Sequence, residues 1–272
     1  MQKIIALLQI KSYNFADFTM WLNWYTNFIK CNEIYICDDN SKYNLKNIIN
    51  LINPNVKYYK RNELKFENFP TIDNNNQIKI YNCLLDIAKP NKDDIIIIPD
   101  EDEFWWYDTQ KYKSFIDCAN IFRNKLLTDA ILVPWTLMRS KEIINKRNLK
   151  DCFCHCFNYR SNIENCEHKP ILFYNGFINT NHHCGYKNSK SITESKENSI
   201  FSKCNYNLPL RCYHYRFTTA EEFKLKMKCS VNNHKKRDNF NLNINFIDIE
   251  QNKNYNILDK TISDIYKKYE TV

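Results

Sequence analysis

Apolar residues in the first half of the chain alternate between short continuous runs and helical spacing. The continuous runs are typical of strands buried on both faces, and they lie at residues 3–10, 33–37, 56–59, 94–99 and 130–134. Between them, apolar residues recur every three or four positions in segments that we predict to be helices, at residues 17–28, 45–52, 77–88 and 115–127. Strands that alternate with helices predict an α/β fold with a mostly parallel central sheet flanked by helices.

The second half of the chain has a less regular pattern. Residues 181–207 are polar and predict a long loop, and residues 232–256 are polar with little regular periodicity. Residues 218–228 predict a helix with a threonine cap and two glutamates in its first turn. Residues 257–269 predict a terminal amphipathic helix. We therefore expect one domain over residues 1–230 and a C-terminal extension over 231–272 that ends in a helix.

Composition excludes several classes of nucleotide-binding site. The chain has only 2 glycines in 272 residues, whereas a P-loop or a GxGxxG dinucleotide loop needs several close together. The formal net charge is +8, but the lysines are scattered, and the densest basic run is residues 235–237. Nucleic-acid binders concentrate basic residues on one face or in one run, so we do not expect nucleic acid as the partner. A basic cleft for a diphosphate explains the charge equally well.

The N-terminal residues lack the cleavage pattern of a secretory signal, and no apolar run approaches the length of a membrane span. The 12 cysteines are then expected to be thiols in a reducing compartment. We expect a cytoplasmic protein, or, for a viral source, one in the host cytoplasm or the virion.

One cluster of cysteines and histidines has the chemistry of a zinc site but not the usual spacing. It comprises Cys152, Cys154, His155, Cys156, Cys166 and His168. The C-x-C-x-C run crowds its thiols and lacks the paired C-x-x-C knuckles of structural zinc sites. We interpret these cysteines as small buried apolar residues, with a zinc site as the alternative.

An acidic cluster follows the most apolar predicted strand. Asp100 and Asp102 flank Glu101, and only Pro99 separates them from four isoleucines at 95–98. In extended backbone alternate side chains point the same way, so the two carboxylates would face one point and repel unless a cation lies between them. Oxygen ligands favour Mg²⁺ or Mn²⁺, which usually also bind substrate phosphates. The alternative is a solvated acidic turn or a helix cap.

Two further groups of residues could complete such a site. Asp38 and Asp39 follow the second strand, where they could accept hydrogen bonds from a nucleoside or could cap the following helix. The ligands of parallel sheets bind at the carboxyl ends of the strands, where both acidic clusters should lie. His214 could complete the metal shell as a neutral imidazole, and Lys169 or Arg216 could neutralise a leaving diphosphate.

The order of these short motifs resembles the GT-A glycosyltransferases, particularly the family 92-like and family 2-like group with a DxDEF motif. The matching pieces keep the family order from about residue 3 to residue 228: Lys11 with Trp21–Tyr25, Ile36–Ser41, Gln77 with Asn82–Leu84, Ile98–Phe104, Val133–Trp135, Lys169–Pro170, His182–His183, Tyr213–Tyr215 and Ala220–Lys226.

The resemblance implies a GT-A, Rossmann-like fold with a nucleotide-sugar-binding half (1–135) and an acceptor-binding half (136–230). It implies transfer of a sugar from a nucleotide-diphosphate donor, uridine diphosphate being the commonest choice, to a hydroxyl of a carbohydrate or glycoconjugate, with Mn²⁺ or Mg²⁺. By position, Asp39 or Asp38 would contact the nucleoside, and Asp100 the ribose or a metal-bound water. Asp102 and His214 would be metal ligands. Trp135 and His183 would line the donor-sugar or acceptor region.

An inverting transferase needs a carboxylate to deprotonate the acceptor hydroxyl. The candidates are Glu103, Asp151, Glu164 and Glu167, and the sequence does not choose among them. Inversion is the expectation from the family 2 likeness. The alternatives are a metal-dependent nucleotidyltransferase or phosphotransferase, which also uses carboxylate-bound metals, and a noncatalytic carbohydrate-binding module.

Overall fold

The computed structural model describes residues 1–12, 14–69, 76–127, 129–139, 148, 150–156, 159–160, 168–176, 178, 209–215 and 257–269. Several sequence predictions lie outside these residues: the loop at 181–207, the helix at 218–228, and the candidate residues Glu164, Glu167, Cys166, His182, His183 and Arg216.

The described residues contain ten strands: β1 (Ile4–Ile10), β2 (Glu33–Asp38), β3 (Lys57–Lys60), β4 (Ile95–Ile97), β5 (Glu103–Tyr107), β6 (Ala130–Arg139), β7 (Tyr159–Arg160), β8 (His168–Phe173), β9 (Leu210–His214) and β10 (Ile257–Leu258). The helices are α1 (Phe15–Asn23), α2 (Leu45–Ile52), α3 (Asn76–Ala88), α4 (Phe115–Leu126), α5 (Phe153–Cys156) and α6 (Thr261–Tyr266). A π-helical segment, Trp24–Phe28, continues α1, and short 3₁₀ turns lie at Arg61–Glu63 and Phe66–Asn68.

The sheet runs in the order β10-β7-β6-β8-β4-β1-β2-β3. Strands β3, β2, β1 and β4 are parallel neighbours, and β8 is antiparallel to both β4 and β6. Strand β6 pairs with β8 through its first half, then with β9 and β7 through its second half, and β9 pairs with β5. The predicted α/β class, with a mainly parallel sheet flanked by helices, is confirmed.

The apolar runs of the parallel strands supply both faces of this sheet. In β1, Ile4, Ala6 and Leu8 face one core, which α1, α2 and α4 cover. Ile5 and Leu7 face a second core, which α3 covers. Because parallel strands are buried on both faces, their sequences read as continuous apolar runs rather than as alternation. None of the helices in the described ranges combines the length and hydropathy needed to span a membrane.

The acidic cluster lies in a turn and not on an extended strand, so the expected alternation of Asp100 and Asp102 is wrong. Strand β4 ends at Ile97, and β5 begins at Glu103. The Glu103 amide donates to the Asp100 carbonyl at 3.1 Å, and the Asp100 amide donates to Glu103 Oε2 at 2.8 Å. These reciprocal bonds close the turn and send the two aspartate side chains to different partners.

The terminal helix is shorter than the periodicity predicts. Residues 257–258 form β10, which pairs with β7, and α6 begins only at Thr261. The Asp259 carboxylate accepts from the Thr261 amide at 3.0 Å and forms the turn between strand and helix. Ile262 and Tyr266 are buried in the main core, so this segment packs on the rest of the fold.

Candidate active site at the acidic turn

The turn at residues 100–103 lies at the carboxyl edge of the parallel sheet. It follows β4, which pairs with β1, and β1 pairs with β2, whose last residue is Asp38. The loops that follow these three strands therefore meet at one edge, where ligands of open α/β sheets bind. Ser12, after β1, donates its amide to Ser41 Oγ at 2.9 Å and its hydroxyl to the Glu101 carboxylate.

Aromatic side chains of α1 and of the π-helical segment fix the backbone of this turn. Each donates a hydrogen bond to a main-chain carbonyl: Trp21 to Asp100 (3.1 Å), Trp24 to Trp105 (2.7 Å) and Tyr25 to Glu103 (2.9 Å). All three rings are fully buried. The helical periodicity predicts Trp21 and Tyr25, but not Trp24, on the apolar face, and it gives no signal that their polar atoms hold the acidic turn.

A buried lysine lies beneath the turn. Lys169, on β8, places its ammonium 2.9 Å from Asp100 Oδ2 and 2.9 Å from Glu103 Oε2. Lys169 and Glu103 have no exposed surface, whereas the Asp100 side chain is 32% exposed. The predicted lysine is thus beside the acidic cluster, but its charge is taken up by the two carboxylates.

Burial and charge act in opposite directions on this triad. Burial raises the pKa of the Glu103 carboxyl above its ordinary value, although Lys169 opposes the effect. Burial alone would lower the pKa of Lys169, but Asp100 and Glu103 outweigh it and raise that pKa. Glu103 Oε1 is buried without a hydrogen-bond partner in the described part of the chain. Glu103 therefore supports the turn from below and has no surface open to a substrate.

The other aspartate of the turn faces a histidine. Asp102 Oδ1 lies 3.5 Å from Nε2 of His214, the last residue of β9. The Tyr215 amide donates to the Asp102 carbonyl at 2.8 Å, which fixes β9 against the turn. The Trp135 ring, on β6, packs against the imidazole with centroids 4.2 Å apart. The sequence predictions for Asp102, His214 and Trp135 thus concern three residues that the fold brings together.

The pair of Asp102 and His214 fits a small divalent cation. Two adjacent ligands of an octahedral ion with bonds of about 2.1 Å lie about 3 Å apart, close to the observed 3.5 Å. Asp100 does not complete a three-ligand cluster with them, because its carboxylate is drawn to Lys169. Among the described residues, the group whose three ligand atoms all lie within 4.8 Å is instead Cys152, Cys154 and His155.

The second predicted acidic pair joins the ends of β2 and β3. The buried Asp38 carboxylate accepts from Tyr58 Oη and Lys60 Nζ, both at 2.5 Å, and from the Ser41 amide at 2.7 Å. Burial works against ionisation, but these hydrogen bonds outweigh it and lower the pKa of Asp38. Asp38 therefore organises the loop from within.

Asp39, the next residue, is more accessible than Asp38. Asp39 pairs with Arg61 at 2.8 Å, and its side chain is 26% exposed. A nucleoside at this edge could therefore reach Asp39 more readily than the buried Asp38.

The remaining candidate base in the described part of the chain lies farther along. Asp151 precedes α5, with its carboxylate 4.0 Å from His155 Nδ1. Helix α5 is anchored near the site, because the Phe153 amide donates to Asp17 on α1 and the Phe153 ring stacks on Tyr215 with centroids 5.4 Å apart. The role of Asp151 stays a prediction.

No protein-family model and no curated protein matches this chain. Solved structures match at low similarity. The crystal structure of S. aureus TarS 1-349 shares 12% identity over 84% of this chain and 64% of that one, with a TM-score of 0.36. The same TarS fragment in complex with UDP shares 15% identity over 54% of this chain and 38% of that one, with a TM-score of 0.30. The crystal structure of a 4-diphosphocytidyl-2C-methyl-D-erythritol synthase shares 10% sequence identity over 64% of this chain and 76% of that one, with a TM-score of 0.32. Likenesses this weak carry no argument about the reaction.

Proposed function

We propose that this protein is a metal-dependent glycosyltransferase of the GT-A type, which moves a sugar from a nucleotide-diphosphate donor to a hydroxyl of a carbohydrate or glycoconjugate. The observation that carries the proposal is the pairing of Asp102 with His214, 3.5 Å apart, at the carboxyl edge of a mainly parallel sheet. The ordered motifs of the sequence, from the first strand to the tyrosine-histidine-tyrosine run, add independent support.

Asp102 and His214 would hold Mn²⁺ or Mg²⁺ in this proposal. The bound ion would supply positive charge beside the diphosphate of the donor. Two protein ligands suffice, because such ions usually complete their shell with water and substrate phosphate oxygens. Asp100, held by Lys169 but with part of its carboxylate exposed, is left to contact the ribose or a bound water. Lys169 keeps the charge of the turn balanced from below.

The protein's own residues would position the two substrates on either side of the turn. Asp39, partly exposed beside Arg61, is the donor-side residue that we assign to the nucleoside, with Asp38 holding the loop in place. Trp135 fixes the imidazole of His214 by packing against it. Water exclusion and orientation at this edge would favour attack by the acceptor over hydrolysis.

The transfer step exchanges one bond at the anomeric carbon for another. The acceptor oxygen forms a bond to that carbon from the face opposite the diphosphate, the bond between the carbon and the diphosphate oxygen breaks, and the nucleoside diphosphate leaves with the electron pair. A carboxylate takes the hydroxyl proton of the acceptor. Because Glu103 is fully buried, we assign this role to one of Asp151, Glu164 and Glu167, and we assign inversion of configuration to the product.

The test is a matched pair of variants, Asp102→Asn and Asp86→Asn, assayed for donor binding and turnover. Asp86 lies exposed on α3, so its variant serves as the control. A thermal-shift screen of nucleoside diphosphates and their sugars, with and without Mn²⁺, first identifies the donor, since ligands of the folded state raise its melting temperature. We expect a Mn²⁺-dependent shift that Asp102→Asn abolishes, together with a fall in turnover of at least about a hundredfold.

The products separate this proposal from its competitors. A glycosyltransferase releases a nucleoside diphosphate, whereas a nucleotidyltransferase releases pyrophosphate. Pyrophosphate release, or unchanged turnover in Asp102→Asn, would overturn the proposal. Donor binding that does not depend on a divalent ion would also contradict the assigned role of Asp102 and His214.

A further inference from the structure

Helix α5 and the residue before it bring together three ligand atoms, two of which are sulfurs, unlike any ligand atom at the acidic turn. The thiols of Cys152 and Cys154 and one imidazole nitrogen of His155 all lie within 4.8 Å of one another. The two sulfurs are 3.4 Å apart. The backbone explains the convergence, because the His155 amide donates to the Cys152 carbonyl at 3.1 Å and closes a helical turn.

These distances are close to those of a thiolate metal site. Around a tetrahedral zinc ion with Zn–S bonds of about 2.3 Å, two sulfur ligands lie about 3.8 Å apart. The observed separation of the sulfurs of Cys152 and Cys154 differs from this by a few tenths of an ångström, which a small rotation about each Cα–Cβ bond would close.

We propose that Cys152, Cys154 and His155 form a zinc site that is separate from the Asp102–His214 pair. Thiolate sulfur is a ligand of Zn²⁺ and not of Mg²⁺ or Mn²⁺, which favour oxygen, and the imidazole of His155 also suits Zn²⁺. Binding releases two thiol protons to solvent, and the two thiolates then balance the charge of the ion. Within the part of the chain that the structure describes the cluster has three ligand atoms, and solvent can approach it on the side of His155, which is exposed while both cysteines are buried.

The surroundings of the cluster are held by three parts of the fold. The Phe153 amide, between the two cysteines, donates to Asp17 of α1 at 3.0 Å, and the Phe153 ring stacks on Tyr215 beside His214. The His155 ring lies 6.5 Å from that of Tyr266 on α6. The Asp151 carboxylate, 4.0 Å from His155 Nδ1, adds negative charge beside the site. The segment that carries the cluster is therefore packed against Tyr215, the neighbour of His214 in the proposed active site.

The experiment uses the full chain, purified with a reductant and without a chelator. We expect about one zinc per chain by mass spectrometry of the metal content. After zinc removal, titration with Co²⁺ should give a thiolate-to-cobalt charge-transfer band that saturates at one equivalent. Because the Asp102–His214 pair contains no sulfur, metal bound there cannot produce this band, so the result does not depend on the proposed transferase activity.

Variants assign the band to this cluster. The double variant Cys152→Ala/Cys154→Ala should lose the band, and the control Cys31→Ser, which removes a thiol outside the cluster, should keep it. If the double variant fails to fold, His155→Asn replaces it, because His155 is exposed; it should weaken Co²⁺ binding at least tenfold. A disulfide between Cys152 and Cys154 in the purified chain, absence of the band in the wild type, or an unchanged band in the cluster variants would overturn the proposal.

Discussion

At the scale of single residues, the candidate site depends on Lys169. The sequence suggested that this lysine neutralises a leaving diphosphate, whereas the structure pairs it with Asp100 and Glu103. The acidic residues and His214 could be found from the sequence, because each follows a recognisable strand or motif. The contact of Lys169 with Asp100 and Glu103 could not be found from the sequence. Strands β4 and β8 are 70 or more positions apart along the chain and meet only through sheet pairing. A buried ion pair adds little net stability to the folded state, because desolvation offsets the attraction. Removing one partner is nevertheless costly, because it leaves a buried charge without compensation.

Replacing this lysine tests the point. We expect Lys169→Met to lower the free energy of unfolding by about 3–5 kcal/mol, because Asp100 and Glu103 then face each other without a cation. Urea unfolding measures the change. Adding Glu103→Gln to Lys169→Met should recover part of the loss. The control Lys46→Met, on the exposed face of α2, should change the free energy of unfolding of the wild type by less than about 0.5 kcal/mol. Equal effects of the two lysine variants would contradict the proposed charge balance.

Asp38 gives the protein a dependence of stability on acid pH. Its folded pKa lies below the ordinary value of 3.8, so near that pH the unfolded chain binds more protons than the native chain. The stabilisation that ionised Asp38 gives the folded protein is therefore complete above the pKa that Asp38 has in the unfolded chain. It is lost as the pH falls through the lower pKa of Asp38 in the folded protein. We expect wild type and Asp38→Asn to differ in free energy of unfolding by about 1–3 kcal/mol at pH 6 and to converge toward pH 2.

The measurement is a series of urea unfolding curves between pH 6 and pH 2. Asp86→Asn, exposed on α3, is the control and should follow the wild type throughout. A constant difference between wild type and Asp38→Asn across the series would show that Asp38 is not the group responsible.

At the scale of elements, the apolar runs predicted the strands of the parallel core, and three of the strands that they missed share one cause. Strands β5, β8 and β9 were not predicted, because each carries polar or aromatic residues in place of a continuous aliphatic run. Their conformation is set by long-range pairing, β5 with β9 and β8 with β4 and β6. These strands carry the candidate residues Glu103, Lys169 and His214, so the sequence predicted candidate residues without predicting the strands that hold them.

The contact between the π-helical segment and β5 has a measurable contribution. Tyr25 Oη donates to the Glu103 carbonyl and accepts from the Trp105 amide at 3.2 Å, all in the core. Tyr25→Phe leaves both backbone groups unpaired and buried, so we expect a loss of about 1–3 kcal/mol in chemical unfolding. Tyr43→Phe, a half-buried tyrosine near α2, should be close to neutral. A neutral Tyr25→Phe would mean that the turn is held by other contacts.

At the scale of the whole molecule, the C-terminal segment is part of the main core. The sequence predicted a helical extension, and the structure adds that β10 joins the sheet and that α6 buries Ile262 and Tyr266. Amphipathic periodicity indicates that a helix has an apolar face, but it does not identify the surface that covers this face. That information lies in the shape of the core formed by the preceding residues.

Truncating one side chain of α6 tests how far this packing extends. Tyr266 lies in the main core, and only 4% of its surface is exposed. We expect Tyr266→Ala to cost about 3–5 kcal/mol of unfolding free energy in a single cooperative transition, as for other large buried rings. Asp264→Ala, exposed on the same helix, is the control and should change little. Loss of α6 alone, in a separate early transition, would contradict one shared core.

Strand β6 limits how the two predicted halves of the molecule can move relative to each other. Its first half pairs with β8 and its second half with β9 and β7, so the boundary predicted at residue 135 falls within one unbroken strand. A hinge between the two halves would have to break this hydrogen-bonded ladder, so we do not expect the two halves to close on each other as rigid bodies. Under the proposed function, adjustment to a nucleotide-sugar donor must then come from connecting segments. A spin-label distance between α3 and β9 should stay constant when the donor identified by the thermal-shift screen is added.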